Sequence, residues 1–129
     1  MKREILFATA LIVLLSACKK QSFEEQIMQD VKHFNEKEAP KQLDPVTTYD
    51  SIGYDTESHT LSYYYTIEGN FDQSAFPTDD VKQLLLDNLR SSIQYKQHKE
   101  HGLSFHYVYI YKETGEALID CTFSKEDYR

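Results

Sequence analysis

The sequence predicts an α+β domain, and three observations carry that expectation: two stretches of apolar residues at helical spacing, four stretches of strand-like alternation, and turn-forming residues between them. Their order is α-β-β-α-β-β. It implies a four-stranded antiparallel sheet with two helices packed on one face and the other face open to solvent. At 129 residues, 40% hydrophobic and 13% aromatic, the chain has the size and apolar content of a single folded domain.

The first helix begins at Ser22-Phe23-Glu24-Glu25, a hydroxyl followed three residues later by Glu, which satisfies helix N–H groups left without partners. Phe23, Ile27, Val31 and Phe34 then form one apolar stripe, so the helix runs from Phe23 to about Glu36, with Pro40 as the stop. Thr47 to Tyr54 and His59 to Glu68 read as two strands around the polar turn Asp55-Thr56-Glu57-Ser58. In the second, Leu61, Tyr63, Tyr65 and Ile67 share a face; Ser62, Tyr64, Thr66 and Glu68 share the other.

Gly69 to Thr78 is linker. Pro77-Thr78-Asp79-Asp80 starts the second helix, with Thr78 as N-cap and two acids complementing the helix dipole. Its expected buried stripe is Val81, Leu84, Leu85, Leu89 and Ile93, and it ends before Gly102. Leu103 to Tyr111 and Glu116 to Phe123 make the last two strands, with Ala117, Ile119, Cys121 and Phe123 alternating toward the core.

Ahead of all this, Lys2 and Arg3 precede an apolar run from Ile5 to Leu15, too short for a bilayer span of about twenty residues. Leu15-Ser16-Ala17-Cys18 follows. This segment resembles the lipobox of bacterial lipoproteins, matching at all four positions. The resemblance implies that residues 1–17 are a cleaved signal peptide and that Cys18 carries a diacylglycerol on its thiol and an acyl chain on its new amine. Residues 18–22 are then a lipidated tether and 23–129 one α+β domain. It also implies a cell-envelope location, at the outer membrane where a cell has two, because Lys19 rather than Asp follows the cysteine. Between Cys18 and the first helix lie about four residues, at most roughly 14 Å of extended chain.

Cleavage removes Lys2, Arg3 and Glu4, so the formal charge moves from −7 to −8. No Lys/Arg cluster follows residue 20, which argues against nucleic acid as a partner. The mature strands, Asp50-Ser51-Ile52 and Leu61-Ser62-Tyr63-Tyr64-Tyr65-Thr66, are similar to those of small uncharacterised lipoproteins of gut bacteria. More loosely they resemble β-lactamase-inhibitor-like modules, and that likeness brings an inhibitor role into view.

The chemistry-bearing residues read as follows. His98-Lys99-Glu100-His101 spaces its histidines by three, whereas a helical zinc site wants four with Glu directly after the first, so the pair reads as a solvated helix end. Cys121 has no partner once Cys18 is lipidated, and its alternation predicts a buried, inert thiol. Glu24-Glu25, Asp79-Asp80 and Glu126-Asp127 sit at helix starts or the chain end, as solvated charge does. No phosphate loop and no Ser-His-Asp arrangement stands out, no metal or cofactor beyond the covalent lipid is expected, and the chain reads as a non-enzyme.

The compositional excess is ten tyrosines, against no tryptophan. Rigid rings with a hydroxyl suit protein and sugar surfaces. The candidate binding face is Tyr64, His106, Tyr107 and Tyr109. The leading expectation is therefore a non-enzymatic envelope lipoprotein, held at the membrane by its lipid, that contacts an unknown envelope or surface protein. The alternative is a glycan-binding module that uses tyrosines on an open sheet face.

Overall fold

In the computed structural model, residues 22–129 are described. The expected signal peptide, Cys18 and most of the tether lie outside them. Helix α1, Phe23–His33, opens where expected: Ser22 Oγ accepts from the Glu25 N–H at 3.1 Å. Its last turn widens into a π-helical turn, Phe34–Glu38. A two-residue strand β1 (Lys41–Gln42) follows, then β2 (Thr47–Asp55) and β3 (Thr60–Ile67). Helix α2 (Thr78–Ser91) and the short α3 (Lys96–Glu100) lead to β4 (Ser104–Tyr111), β5 (Ala117–Phe123) and a terminal turn of helix, α4 (Lys125–Tyr128).

The α+β class holds, but the sheet differs from the expected four antiparallel strands. It has five, in the order β1-β2-β3-β4-β5, and β3 and β4 run parallel. The reason is the connection: α2 and α3 carry the chain back to the end of the sheet where β3 began, as parallel pairing requires. The other neighbouring strands pair antiparallel.

Both helices cover one face. Ile27 of α1 and Leu89 of α2 join Leu61, Tyr63, Phe105 and Tyr107 in the buried core. Phe105 is fully buried, which contributes about 2–3 kcal/mol by the area it removes from water. Tyr128, on the unanticipated α4, closes the core's lower end and donates its hydroxyl to the Leu103 carbonyl at 2.8 Å.

The second helix is not continuous. After Ser91 the backbone at Ser92 turns extended, Tyr95 drops toward Tyr63 and Phe105, and Ile93 is left 88% exposed rather than in the buried stripe. Leu84 is exposed as well. Lys99 Nζ donates to the carbonyls of Leu89 and Arg90 at 2.8 and 2.9 Å, capping α2 from α3. Pro77 rather than Thr78 occupies the N-cap, and the Thr78 hydroxyl donates instead to the Leu118 carbonyl of β5. Gly102, at φ +74°, is the left-handed stop after α3. Ala117 is exposed, while Ile119 is buried and Cys121 and Phe123 half-buried.

β1 covers only Thr48 and Tyr49 along the outer edge of β2. Farther along that edge, the Asn35 carboxamide takes the place of a strand. Its Nδ2 donates to the Ile52 carbonyl at 2.7 Å, and its Oδ1 accepts from the Ile52 N–H at 2.9 Å. This is a two-bond pairing of the kind a neighbouring backbone would make.

Candidate functional site

Strand register arranges the helix-facing side chains in rows. Tyr49, Tyr65, Tyr109 and Ile119 form one row across β2 to β5; Ile52, Tyr63, Tyr107 and Cys121 form the next. The rings stack along the rows. Tyr65 lies 4.4 Å from Tyr109 with planes 10° apart and 4.7 Å from Tyr49, and Tyr63 lies 5.2 Å from Tyr107. Cross-strand aromatic pairs of this kind contribute about 0.5–1.5 kcal/mol each beyond burial.

Helix α1 packs toward β2 and α2 toward β5, leaving the tyrosines of β3 and β4 as a floor between them. Over that floor lie two open cavities. The larger, about 640 Å³, is bounded by Ile27, Val31 and Phe34 of α1, by Tyr49, Ile52 and Tyr63, and by Tyr95 and His98. The smaller, about 200 Å³, is bounded by Tyr63, Tyr65 and Tyr107 with Leu85, Asn88 and Leu89 of α2. Tyr63 and Tyr95 line both, so they form one groove with a shared aromatic centre. Its rim carries Asp30 and Glu38 against a single Lys41.

Burial pushes the phenols of Tyr63, Tyr65, Tyr49 and Tyr107 far above the ordinary tyrosine range, chiefly by desolvation. At neutral pH the floor is therefore uncharged: apolar ring faces studded with hydroxyls that both donate and accept.

The four residues of the expected binding face are divided by the pleat. Tyr107 and Tyr109 lie on the helix-covered face, where Tyr107 is buried and lines the smaller cavity and Tyr109 packs against the core. Tyr64 and His106 point to the opposite, open face, where the Tyr64 ring lies over Gly53 and edge-on to His106 at 6.3 Å. Tyr64 is 38% exposed and is the one tyrosine of the ten on that face, which leaves sugar stacking a single ring. The groove itself is absent from the sequence reading, because it is a gap between elements that only tertiary packing creates.

The register also brings together three residues that lie far apart in sequence. On the open face, Ser62 Oγ lies 3.0 Å from His106 Nδ1, and His106 Nε2 lies 2.7 Å from Asp120 Oδ1. The order is that of a nucleophile, base and acid, but Ser62 and His106 lie within paired strands whose amides are engaged in the ladders. Both cavities are on the other face, and Asp120 is well solvated. The chain of bonds ties β3, β4 and β5 together without offering an oxyanion site.

The remaining candidates are placed as follows. Of the expected solvated pair, His101 is exposed and His98 half-buried, with Phe23 stacked flat on His101 at 3.8 Å and edge-on to His98 at 5.4 Å. His98 Nδ1 is buried without a hydrogen-bond partner among the described residues, and burial holds its pKa below the usual imidazole value. Burial pushes the Cys121 thiol up. Among the described residues no group of three His, Cys, Asp or Glu side chains is placed to hold a metal ion, and no helix is long and apolar enough to cross a membrane.

Three solved structures share this fold at low identity. A Pseudomonas aeruginosa protein described as secreted matches 85% of this chain and all of its own, at 14% identity and a TM-score of 0.67. The pilotin EpsS of the Vibrio vulnificus type 2 secretion system matches 78% of this chain and 86% of its own, at 11% identity and 0.62. The type II secretion pilotin AspS of Vibrio cholerae matches 78% and 97%, at 14% identity and 0.54. Among curated proteins none matches the sequence. The family model that does match extends over residues 22–119, from the α1 cap into β5, and by that match the chain belongs to the DUF8479 family, a domain of unknown function.

Proposed function

We propose that this protein is a non-enzymatic accessory lipoprotein of the bacterial cell envelope, anchored through Cys18, whose tyrosine-floored groove docks a segment of a partner protein. The observation that carries the reading is the groove: two cavities between the helices, floored by stacked tyrosines of which Tyr63 and Tyr107 are buried and Tyr49 and Tyr65 half-buried. Its dimensions suit several apolar side chains of one segment. Asp30 and Glu38 on the rim, on a domain of net negative charge, favour a partner whose apolar residues are flanked by basic ones. The fold shared with two pilotins of type II secretion systems supports an accessory role. The match of Leu15-Ser16-Ala17-Cys18 to a lipobox supports the anchor.

The test places a photo-crosslinking residue at Gln94, beside the larger cavity, or at Tyr64 on the open face, in living cells. A discrete adduct from position 94, absent from 64 and abolished by Asn88→Arg, is the expected outcome. Equal adducts from both faces, or an adduct indifferent to Asn88→Arg, would remove the groove from the function. Cys18→Ser tests the anchor: the protein should leave the membrane fraction or persist as uncleaved precursor, and unchanged lipid labelling defeats that half.

A further inference from the structure

The end of the domain where α1 starts also holds Arg90, Lys96, Lys99, Lys125 and Arg129. Phe23 is pinned there by its stack on His101. Arg90 Nη2 donates to the Asp127 carbonyl at 2.7 Å, binding the end of α2 to α4, and Lys125 lies against Gly102 at the end of α3. Lys96 and Arg129 complete the group. The acids around α3 and α4 are largely matched to these cations, whereas Glu24, Glu25, Asp55 and Glu57 lie on the α1 and β2–β3 side of the same end. Asp87 lies 3.8 Å from Arg90, Glu100 4.0 Å from Lys96 and Glu126 3.5 Å from Arg129. Much of the chain's excess negative charge is elsewhere, on residues such as Glu38, Asp44, Glu68, Asp72, Asp79 and Glu113. At the same end the α2–α3 loop holds out Ile93, the most exposed of the large hydrophobic residues among the described ones.

We propose that this end, comprising α3, the Ile93 loop and α4, is a bilayer-facing surface that seats on anionic lipid with Ile93 entering the headgroup layer. The inference rests on lipidation of Cys18 and deepens that reading. Four residues separate Cys18 from the pinned start of α1, so the bilayer lies within roughly 14 Å of Phe23. An anionic surface repels the acidic parts of the domain, Glu24, Glu25, Asp55 and Glu57 among them, and tolerates the balanced α3–α4 side. Within the end that the tether holds near the bilayer, charge therefore selects that side. A single exposed Ile next to lysines is a shallow interfacial anchor. In this pose α1 and α2 rise from the membrane, and the groove between them stays open to a partner.

The chain has no tryptophan, so one introduced residue is a clean reporter. The lipidated mature protein carrying Ile93→Trp, or Val46→Trp at the opposite end, is reconstituted in phosphatidylcholine–phosphatidylglycerol vesicles containing brominated acyl chains. Both sites are exposed, so neither change disturbs the core. The expected result is blue-shifted indole emission from the Ile93→Trp protein, quenched at least about threefold more strongly than that of the Val46→Trp protein. Equal quenching of the two, or stronger quenching of Val46→Trp, in protein whose mass includes the lipid overturns the orientation. Protein whose mass lacks the lipid overturns the anchor reading beneath it.

Discussion

The Tyr54 hydroxyl donates to Glu24 Oε1 across 3.0 Å, joining β2 to the first turn of α1. Desolvation and then this carboxylate push the Tyr54 phenol up to about 12. Replacing Glu24 with Gln removes the negative charge that opposes ionisation, so Tyr54 should titrate closer to its ordinary value. Tyrosinate absorbance of Glu24→Gln against the parent, with Tyr54→Phe to identify the transition, checks this. An unchanged Tyr54 titration would rule out the carboxylate as a cause.

The groove floor sets an alkaline limit to stability. Tyr49, Tyr63, Tyr65 and Tyr107 have folded-state pKa values raised well above the ordinary value, mainly by desolvation. A raised folded value means the unfolded chain loses its protons first, so stability is complete below about pH 10 and declines as the pH climbs beyond it. These tyrosines should ionise in one cooperative step coincident with loss of circular dichroism. Gradual ionisation of a fully folded protein would contradict it.

At the acid end, His98 works in the opposite sense. Burial lowers its folded pKa, so above about pH 6.5 it is neutral in both states and costs nothing. As the pH falls through that value the unfolded chain binds the proton first, and stability drops until the folded value is passed. The urea midpoint should therefore fall as the pH drops below about 6.5, with a smaller fall in His98→Gln. Identical pH slopes in the two proteins would exclude His98 as a source.

Two apolar residues on either side of α3 should respond very differently to truncation. Phe105→Ala opens a cavity in the closed core and should cost about 3–5 kcal/mol. Ile93→Ser touches solvent on nearly every side and should stay within about 0.5 kcal/mol of the parent. Denaturant unfolding of both variants provides the comparison, and a large loss from Ile93→Ser would mean that the loop packs in solution.

What could be read in advance follows from how local each signal is. The α1 start is legible because Ser22 and Glu25 are three residues apart and their bond is confined to one turn. The same pattern at Ser124 and Asp127 makes a full capping box, yet it gives no helix signal in the sequence because no apolar run follows it. Helical periodicity carries the apolar stripe through to Ile93, although the backbone breaks at Ser92; spacing alone does not register a reversal that Tyr95 makes to reach the core. Alternation separates Tyr63 and Tyr65 from Tyr64, yet it contains nothing about which set the helices will cover. The parallel pairing of β3 with β4, the groove and the Ser62–His106–Asp120 chain all depend on contacts between elements distant in sequence.

Asn35 has a consequence at the scale of a population of molecules. Proteins confined to a surface meet their neighbours far more often than the same number in free solution, and an unpaired strand edge is an invitation to add another chain's strand. At Ile52 that invitation is already answered, both backbone groups being held by one side chain of the same molecule. Strand-by-strand growth from this flank is thereby interrupted at the monomer. Anchored as proposed, a crowded layer of such domains would stay a layer of individuals.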